Sequence, residues 1–238
     1  MDMPVTLDLV QCEDESIFRE VFNFFHWVDK TFSTFKKDSE ISRYNRREIT
    51  IRDLSLPMKN IFNLSDKTRR ETAGYFNVEK DGKIDPSGIV KGWAILEASK
   101  IIKKKGVKNF YVDAGGDIQA EGVNENGLPW KIGIRNPFNR HENVKILKIS
   151  GGAVATSGTY IRGQHIYDPF APDKKITDIV SLTVVGKNIL DADRFATAAF
   201  AMGKKGIGFI ETTGFLEGYM IDNKGVATYT SGFNNFMA

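Results

Sequence analysis

Short strand-like runs and helical runs follow one another along this 238-residue chain without the strict β-α-β alternation that a parallel sheet requires. That order predicts an α+β fold in which helices flank a mixed or largely antiparallel sheet. No internal repeat, low-complexity run or linker interrupts it, so one domain over residues 1–238 is expected. A content of 41% hydrophobic and 26% charged residues suits a globular chain that buries a sizeable core.

Residues 4–10 alternate like a strand, with Val5, Leu7 and Leu9 on one face. Phe18, Val21, Phe22, Phe25, Val28, Phe32 and Phe35 then recur at helical spacing and predict a long amphipathic helix on an apolar surface. Residues 39–45 are polar and allow one short helix. Ser55-Leu-Pro-Met opens a helix that should run to about Arg70, before Gly74.

Residues 76–85 predict two short strands joined by Asp81-Gly82, the pair that a two-residue type I′ turn prefers. A helix is expected from about Ile89 to Lys105. Residues 110–118 read as a strand that stops at Gly115-Gly116 and resumes, and residues 130–134, 144–149 and 179–185 read as further strands. Gly206 to Thr213 reads as a short helix, and residues 215–221 and 226–230 as a closing hairpin over Asn223-Lys-Gly225.

The composition excludes several classes of function. The lone Cys12 rules out an internal disulfide framework and a Cys-rich zinc site. A net charge of +3 is small, and Lys103-Lys104-Lys105 before Gly106 reads as favourable charge at a helix C-terminus rather than a nucleic-acid patch. No apolar run is long enough to span a bilayer. The start Met1-Asp-Met-Pro-Val-Thr lacks the basic and apolar regions of a signal peptide, so a cytoplasmic chain is expected.

Chemistry concentrates first at Ile189-Leu-Asp-Ala-Asp-Arg-Phe-Ala-Thr-Ala-Ala-Phe-Ala-Met-Gly203. Its alanines favour helix, and Asp191 is a candidate N-cap. Asp193 and Thr197, four residues apart, share one helix face, and two hard oxygens near a helix N-terminus suit a divalent cation with its phosphates. An N-capped core helix with a back-bonding Thr explains the same residues. Three further segments hold candidates: residues 85–92, residues 113–117, and residues 153–158 with 165–169. Each also has a bland explanation, as a helix-starting turn with a surface Lys91, a bulge at Gly115-Gly116, or a core histidine at His165.

Together and in order, these segments resemble the ApbE family, the FAD:protein FMN transferases, over almost the whole chain. The resemblance rests on Met1-Asp-Met-Pro-Val-Thr-Leu, on Phe32-Ser-Thr-Phe-Lys-Lys-Asp-Ser-Glu-Ile-Ser-Arg-Tyr-Asn45 and on Asp85-Pro-Ser-Gly-Ile-Val-Lys-Gly92. Gly115-Gly-Asp-Ile118, Ala153-Val-Ala-Thr-Ser-Gly158, His165-Ile-Tyr-Asp-Pro169 and Ala192-Asp-Arg-Phe-Ala-Thr197 complete it.

The resemblance implies an ApbE-like, T-fold-related fold and a flavin site with Mg2+ on the pyrophosphate. It implies Mg2+ held by the Asp193 carboxylate, the Thr197 hydroxyl and carbonyls of Gly88 and Ala196. It further implies FAD contacts at Met1, Phe35, Tyr75, Phe76, Asn77, Asp85, Lys91 and Ile166. His165 is implied as the base or the residue orienting the attacking hydroxyl, with Asp193 as the other catalytic residue. The implied reaction moves FMN from FAD to a threonine of a target flavoprotein and releases AMP. A Mg2+-dependent FAD pyrophosphatase and a non-catalytic flavin carrier are the alternatives. Asn77, Phe35 and Trp93 depart from the residues the family usually has, and the segment between Phe76 and Asp85 is short.

Overall fold

The computed structural model describes residues 3–139, 141–159 and 166–238. Strand β1 (Val5–Leu9) is followed by helices α1 (Ser16–Phe32), α2 (Glu40–Asn45) and α3 (Leu56–Glu71). A small hairpin, β2 (Glu79–Lys80) and β3 (Lys83–Ile84), leads into α4 (Ser87–Lys104). Strands β4 (Phe110–Ala114), β5 (Asp117–Glu121), β6 (Trp130–Arg135), β7 (Asn143–Ile149), β8 (Gly151–Gly158) and β9 (Ile179–Gly186) come next. Helices α5 (Ile189–Ala201) and α6 (Gly206–Thr213) and strands β10 (Glu217–Asp222) and β11 (Ala227–Tyr229) complete the order.

Seven strands form one sheet in the order β1-β4-β5-β8-β9-β10-β11, and each of its pairings is antiparallel. The tight link between β4 and β5 shows why. Gly115 and Gly116 have φ of +66° and +93°, left-handed values that glycine reaches without a Cβ penalty, so the chain reverses in two residues. The strand expected to stop at this pair and resume does so through a hairpin turn, and the bland alternative of a bulge falls away. The other turn anticipated from residue type is also present, since Asp81 and Gly82 both have positive φ, +53° and +70°, as a type I′ turn demands.

Side-chain alternation along the strands divides the core in two. Ala153, Ala155, Leu182, Val184 and Met220 pack with Ala94, Ile95 and Ala98 of α4 and Ala192, Phe195 and Ala199 of α5. Val154, Val185, Tyr219 and Ile221 point the other way, onto Trp130, Ile132, Leu147 and Ile149 of the β6–β7 hairpin. The sheet is thus covered by helices on one face and by a two-stranded hairpin on the other. No helix of the described residues is long and apolar enough to cross a membrane.

Two local expectations are corrected. The aromatic stripe of α1 buries Val21, Phe25, Val28 and Phe32, but Phe22 is partly exposed and Phe35 is 98% exposed. The helix ends at Phe32, where Ser33 turns to an extended conformation, so helical spacing has no meaning for Phe35. The N-cap of α5 is Asn188 rather than Asp191. Asn188 Oδ1 accepts the Asp191 N–H at 2.9 Å while its amide donates to the Asp191 carboxylate at 2.7 Å, a reciprocal capping pair.

Candidate active site

A cavity of about 230 Å³ opens where the start of α4, the middle of α5, β8 and the segment 75–80 meet. Helices α4 and α5 can approach closely because residue 92 is glycine. A Cβ there would lie 2.8 Å from Asp193 Cβ and 2.9 Å from the Ile189 carbonyl, far inside van der Waals contact. The closeness lets the Gly92 N–H donate to Asp193 Oδ2 at 2.8 Å. In a regular helix that N–H belongs to the Gly88 carbonyl, so the carboxylate shares a donor that α4 would otherwise keep.

Asp193 is 2% exposed and Asp117, on β5, is 1% exposed. Between them lies Lys91, whose ammonium pairs with Asp117 Oδ2 and stands 3.4 Å from Asp193 Oδ1. Asp117 Oδ1 accepts the Thr156 N–H of β8 at 3.0 Å. Burial pushes the Asp193 carboxyl up to about 7; Lys91 opposes that rise and the neighbouring Asp117 adds to it. The side chain of Lys91 is 18% exposed, which removes the surface-lysine reading. Its charge faces both carboxylates and the cavity, whose wall it helps to line.

The other walls are held by local bonds. Thr72 Oγ1 accepts the Phe76 N–H at 3.0 Å, fixing the segment Tyr75, Phe76 and Asn77 after α3. The Asn45 amide donates to the Ile84 carbonyl at 2.8 Å and accepts the Ile84 N–H at 2.9 Å, tying the β2–β3 hairpin to α2. Asp85 Oδ1 accepts the Ser87 N–H at 3.0 Å at the start of α4. Tyr167 reaches across to this wall, donating to the Glu79 carbonyl at 3.2 Å while Lys80 Nζ lies 4.6 Å from its ring centre.

Tyr75, Phe76, Asn77, Asp85, Gly88, Lys91, Ile166, Asp193 and Thr197 all line the cavity. Ala196 does not. It is wholly buried in the core cluster, and in a regular helix its carbonyl is taken by the residue four positions on. Phe35 does not line it either, and Met1 and His165 lie outside the described residues. The anion-attracting helix end is also not the expected one. The start of α5 is closed by Asn188 and by Gln119 Oε1, which accepts the Ile189 N–H at 2.9 Å, whereas Ser87 and Gly88 in the first turn of α4 face the cavity.

Sequence reasoning placed Asp117, Thr156 and Tyr167 inside candidate segments without giving them individual roles, and it did not single out Lys80. For Asp117 the available signal was a charged residue directly after a Gly-Gly turn, at the start of a strand.

The donor set suits a hard cation. Asp193, Thr197 and the Gly88 carbonyl supply oxygen only, and among the described residues no group of three or more His, Cys, Asp or Glu is placed to hold a metal. So few protein oxygens leave coordination positions for water and phosphate, the usual arrangement for Mg2+. The cavity's volume lies below the roughly 300–1,000 Å³ usual for a small-molecule site, so a dinucleotide carrying a ring system would extend past its open mouth. Tyr75, Phe76, Ile166 and Tyr167 provide apolar and aromatic surface for such a ring.

The model of the ApbE family matches residues 1–81 and 77–220. An FAD:protein FMN transferase of Vibrio cholerae serotype O1 is 25% identical, over 81% of this chain and 75% of that protein. Its namesake from Escherichia coli strain K12 is 27% identical over 60% of this chain, which spans only 43% of that relative. Among solved structures, the flavin transferase ApbE from Vibrio cholerae has a TM-score of 0.86 at 24% identity, covering 99% of this chain and 96% of that one. An ApbE protein from Thermotoga maritima has a TM-score of 0.85 at 19% identity, with full coverage of both chains. At these identities the solved structures establish a shared fold.

Proposed function

Since the chain belongs to the ApbE family, we propose that it transfers FMN from FAD to a threonine hydroxyl of a target flavoprotein, with Mg2+ as cofactor. The observation that carries this reading is the buried Asp193 carboxylate beside Thr197 and Gly88 on a cavity wall where the first turn of α4 also opens. The curated relatives' name, FAD:protein FMN transferase, supports the substrate and the reaction class.

The threonine oxygen forms a new bond to the FMN-side phosphorus, the bond from that phosphorus to the bridging oxygen breaks, and AMP leaves with that oxygen. The hydroxyl proton passes to a base, for which His165 is our candidate from the family resemblance. Mg2+, when bound, offsets charge on the pyrophosphate and on the leaving phosphate.

The chain's own groups do the positioning. Asp193, Thr197 and the Gly88 carbonyl would hold the metal, and Gly92 N–H fixes the rotamer of Asp193 at 2.8 Å. Ser87 and Gly88 put the first turn of α4 on the cavity wall, where the positive end of the helix dipole favours phosphate oxygens. Tyr75, Phe76, Asn77, Asp85 and Ile166 line the space left for the flavin nucleotide.

The test is to incubate the chain with FAD, Mg2+ and a threonine-bearing target protein and to weigh the target. An FMN-sized adduct on threonine supports transfer. AMP and free FMN without an adduct would indicate the pyrophosphatase, and bound flavin with neither product a carrier.

A further inference from the structure

Asp117 supplies none of the proposed metal oxygens, yet its carboxylate is buried as deeply as that of Asp193. A buried carboxylate persists only where bonds and an opposite charge compensate it. Here the Thr156 N–H takes one oxygen at 3.0 Å and the Lys91 ammonium pairs with the other. Lys91 is left 3.4 Å from the nearer oxygen of Asp193, a looser approach. When both carboxylates are ionised, they and the one ammonium leave one net negative charge, and Asp193, which Lys91 approaches more loosely, faces the cavity beside Thr197.

We propose that Asp117 is a positioning residue for the divalent cation: by drawing Lys91 toward β5 it keeps the Asp193 carboxylate open to metal, and so sets the affinity of the Asp193, Thr197 and Gly88 oxygens. The proposal rests on the metal site assigned above. Without the charge of Asp117, Lys91 still has the Asp193 carboxylate 3.4 Å away and closes onto it. A cation must then displace an ammonium from a site where burial weakens screening.

The experiment is a titration of the full chain, without flavin, with Mn2+ as the probe, free Mn2+ being read by electron paramagnetic resonance and folding by melting curves. Asp117→Asn retains an oxygen for the Thr156 N–H, and it should bind Mn2+ roughly tenfold more weakly or worse. In Asp117→Asn/Lys91→Met the competing ammonium is gone and the buried charge equals that of the wild type, so affinity should return to within about threefold of it. An unchanged affinity in the folded single variant, or a double variant as weak as the single, overturns the proposal. If Asp117→Asn does not fold, Lys91→Met carries the test: it should bind Mn2+ at least as tightly as the wild type, and weaker binding overturns the proposal. A wild-type chain that binds no Mn2+ refutes the metal site and the proposal with it, whereas wild-type binding with unmoved variants refutes only the role of Asp117.

Discussion

Gly92→Ala tests whether the close approach of α4 and α5 builds the site. On helix propensity alone the substitution should stabilise α4 by about 1 kcal/mol. The packing predicts the opposite sign. The new methyl group would sit 2.8 Å from Asp193 Cβ, 2.9 Å from the Ile189 carbonyl and 3.0 Å from Asp193 Oδ2, so the helices must separate by roughly 1 Å to reach ordinary contact.

Overpacking of this kind costs about 1–3 kcal/mol. The same separation stretches the 2.8 Å bond from the Gly92 N–H to Asp193 beyond hydrogen-bond range, and a bond to a charged group is worth about 1.5–3 kcal/mol. Net of the propensity gain, the loss should be about 2–4 kcal/mol, seen as a fall in Tm on the order of 10 °C. Displacing Asp193 by ~1 Å should also reduce flavin transfer by on the order of a hundredfold in the molecules that remain folded. Gly208→Ala is the control, because that glycine is exposed in α6 with nothing within 4 Å of the added methyl. It should gain about 0.5–1 kcal/mol and leave transfer unchanged. A Gly92→Ala variant that behaves like Gly208→Ala in both denaturation and transfer would refute the reasoning.

Asp193→Asn should lower the rate of flavin transfer by on the order of a thousandfold or more at limiting Mg2+, with Thr197→Val losing less and recovering further in excess Mg2+; normal transfer by folded Asp193→Asn would sink the site. Because burial raises the Asp193 carboxyl to about 7, protons and metal compete for it, and Mn2+ should bind roughly tenfold more weakly at pH 6 than at pH 8, a ratio near one counting against the assignment. In the metal-free chain the same raised value means that the proton is held more tightly in the folded state than in the unfolded one. This group's contribution to stability is therefore present below the ordinary carboxylate range and lost as pH rises through about 7, which melting curves without metal should register. Arg194→Met removes a 6%-exposed guanidinium that pairs with Glu71 and, at 2.7 Å, with Asp191; since Glu71 is partly exposed and can rehydrate, the cost should be about 2–3 kcal/mol in chemical denaturation. Its transfer rate once folded should match the wild type, since Arg194 braces α5 against α3 and does not line the cavity.

That role of Arg194 shows where reading the chain reaches its limit. It lies next to Asp193 within one motif, yet a helix sends adjacent side chains in different directions. One faces the cavity and the other reaches Thr68 and Glu71 on α3. Spacing put Asp193 and Thr197 on a common face, and the family resemblance rather than spacing pointed to Tyr75, Phe76, Asn77, Asp85, Gly88 and Lys91, which line the cavity. Spacing misjudged Phe35, because a periodic pattern carries no mark of where its helix stops.

The sequence alone determined what depends on a few neighbouring residues. Asp81-Gly82 makes its turn because two positions need positive φ, and Ser55 caps α3 because its hydroxyl accepts the Met58 N–H three residues on. Irregular strand and helix order was enough to point away from a parallel sheet. Only the tertiary structure decided which charges meet. Lys91 is 26 positions from Asp117 and 102 from Asp193, and the β4–β5 turn, the pairing of β5 with β8 and the absent side chain at Gly92 bring all three together. Such partners leave no local trace, because the energy of a buried ion pair depends on distance and desolvation, which the packing of remote elements sets and residue spacing along the chain does not.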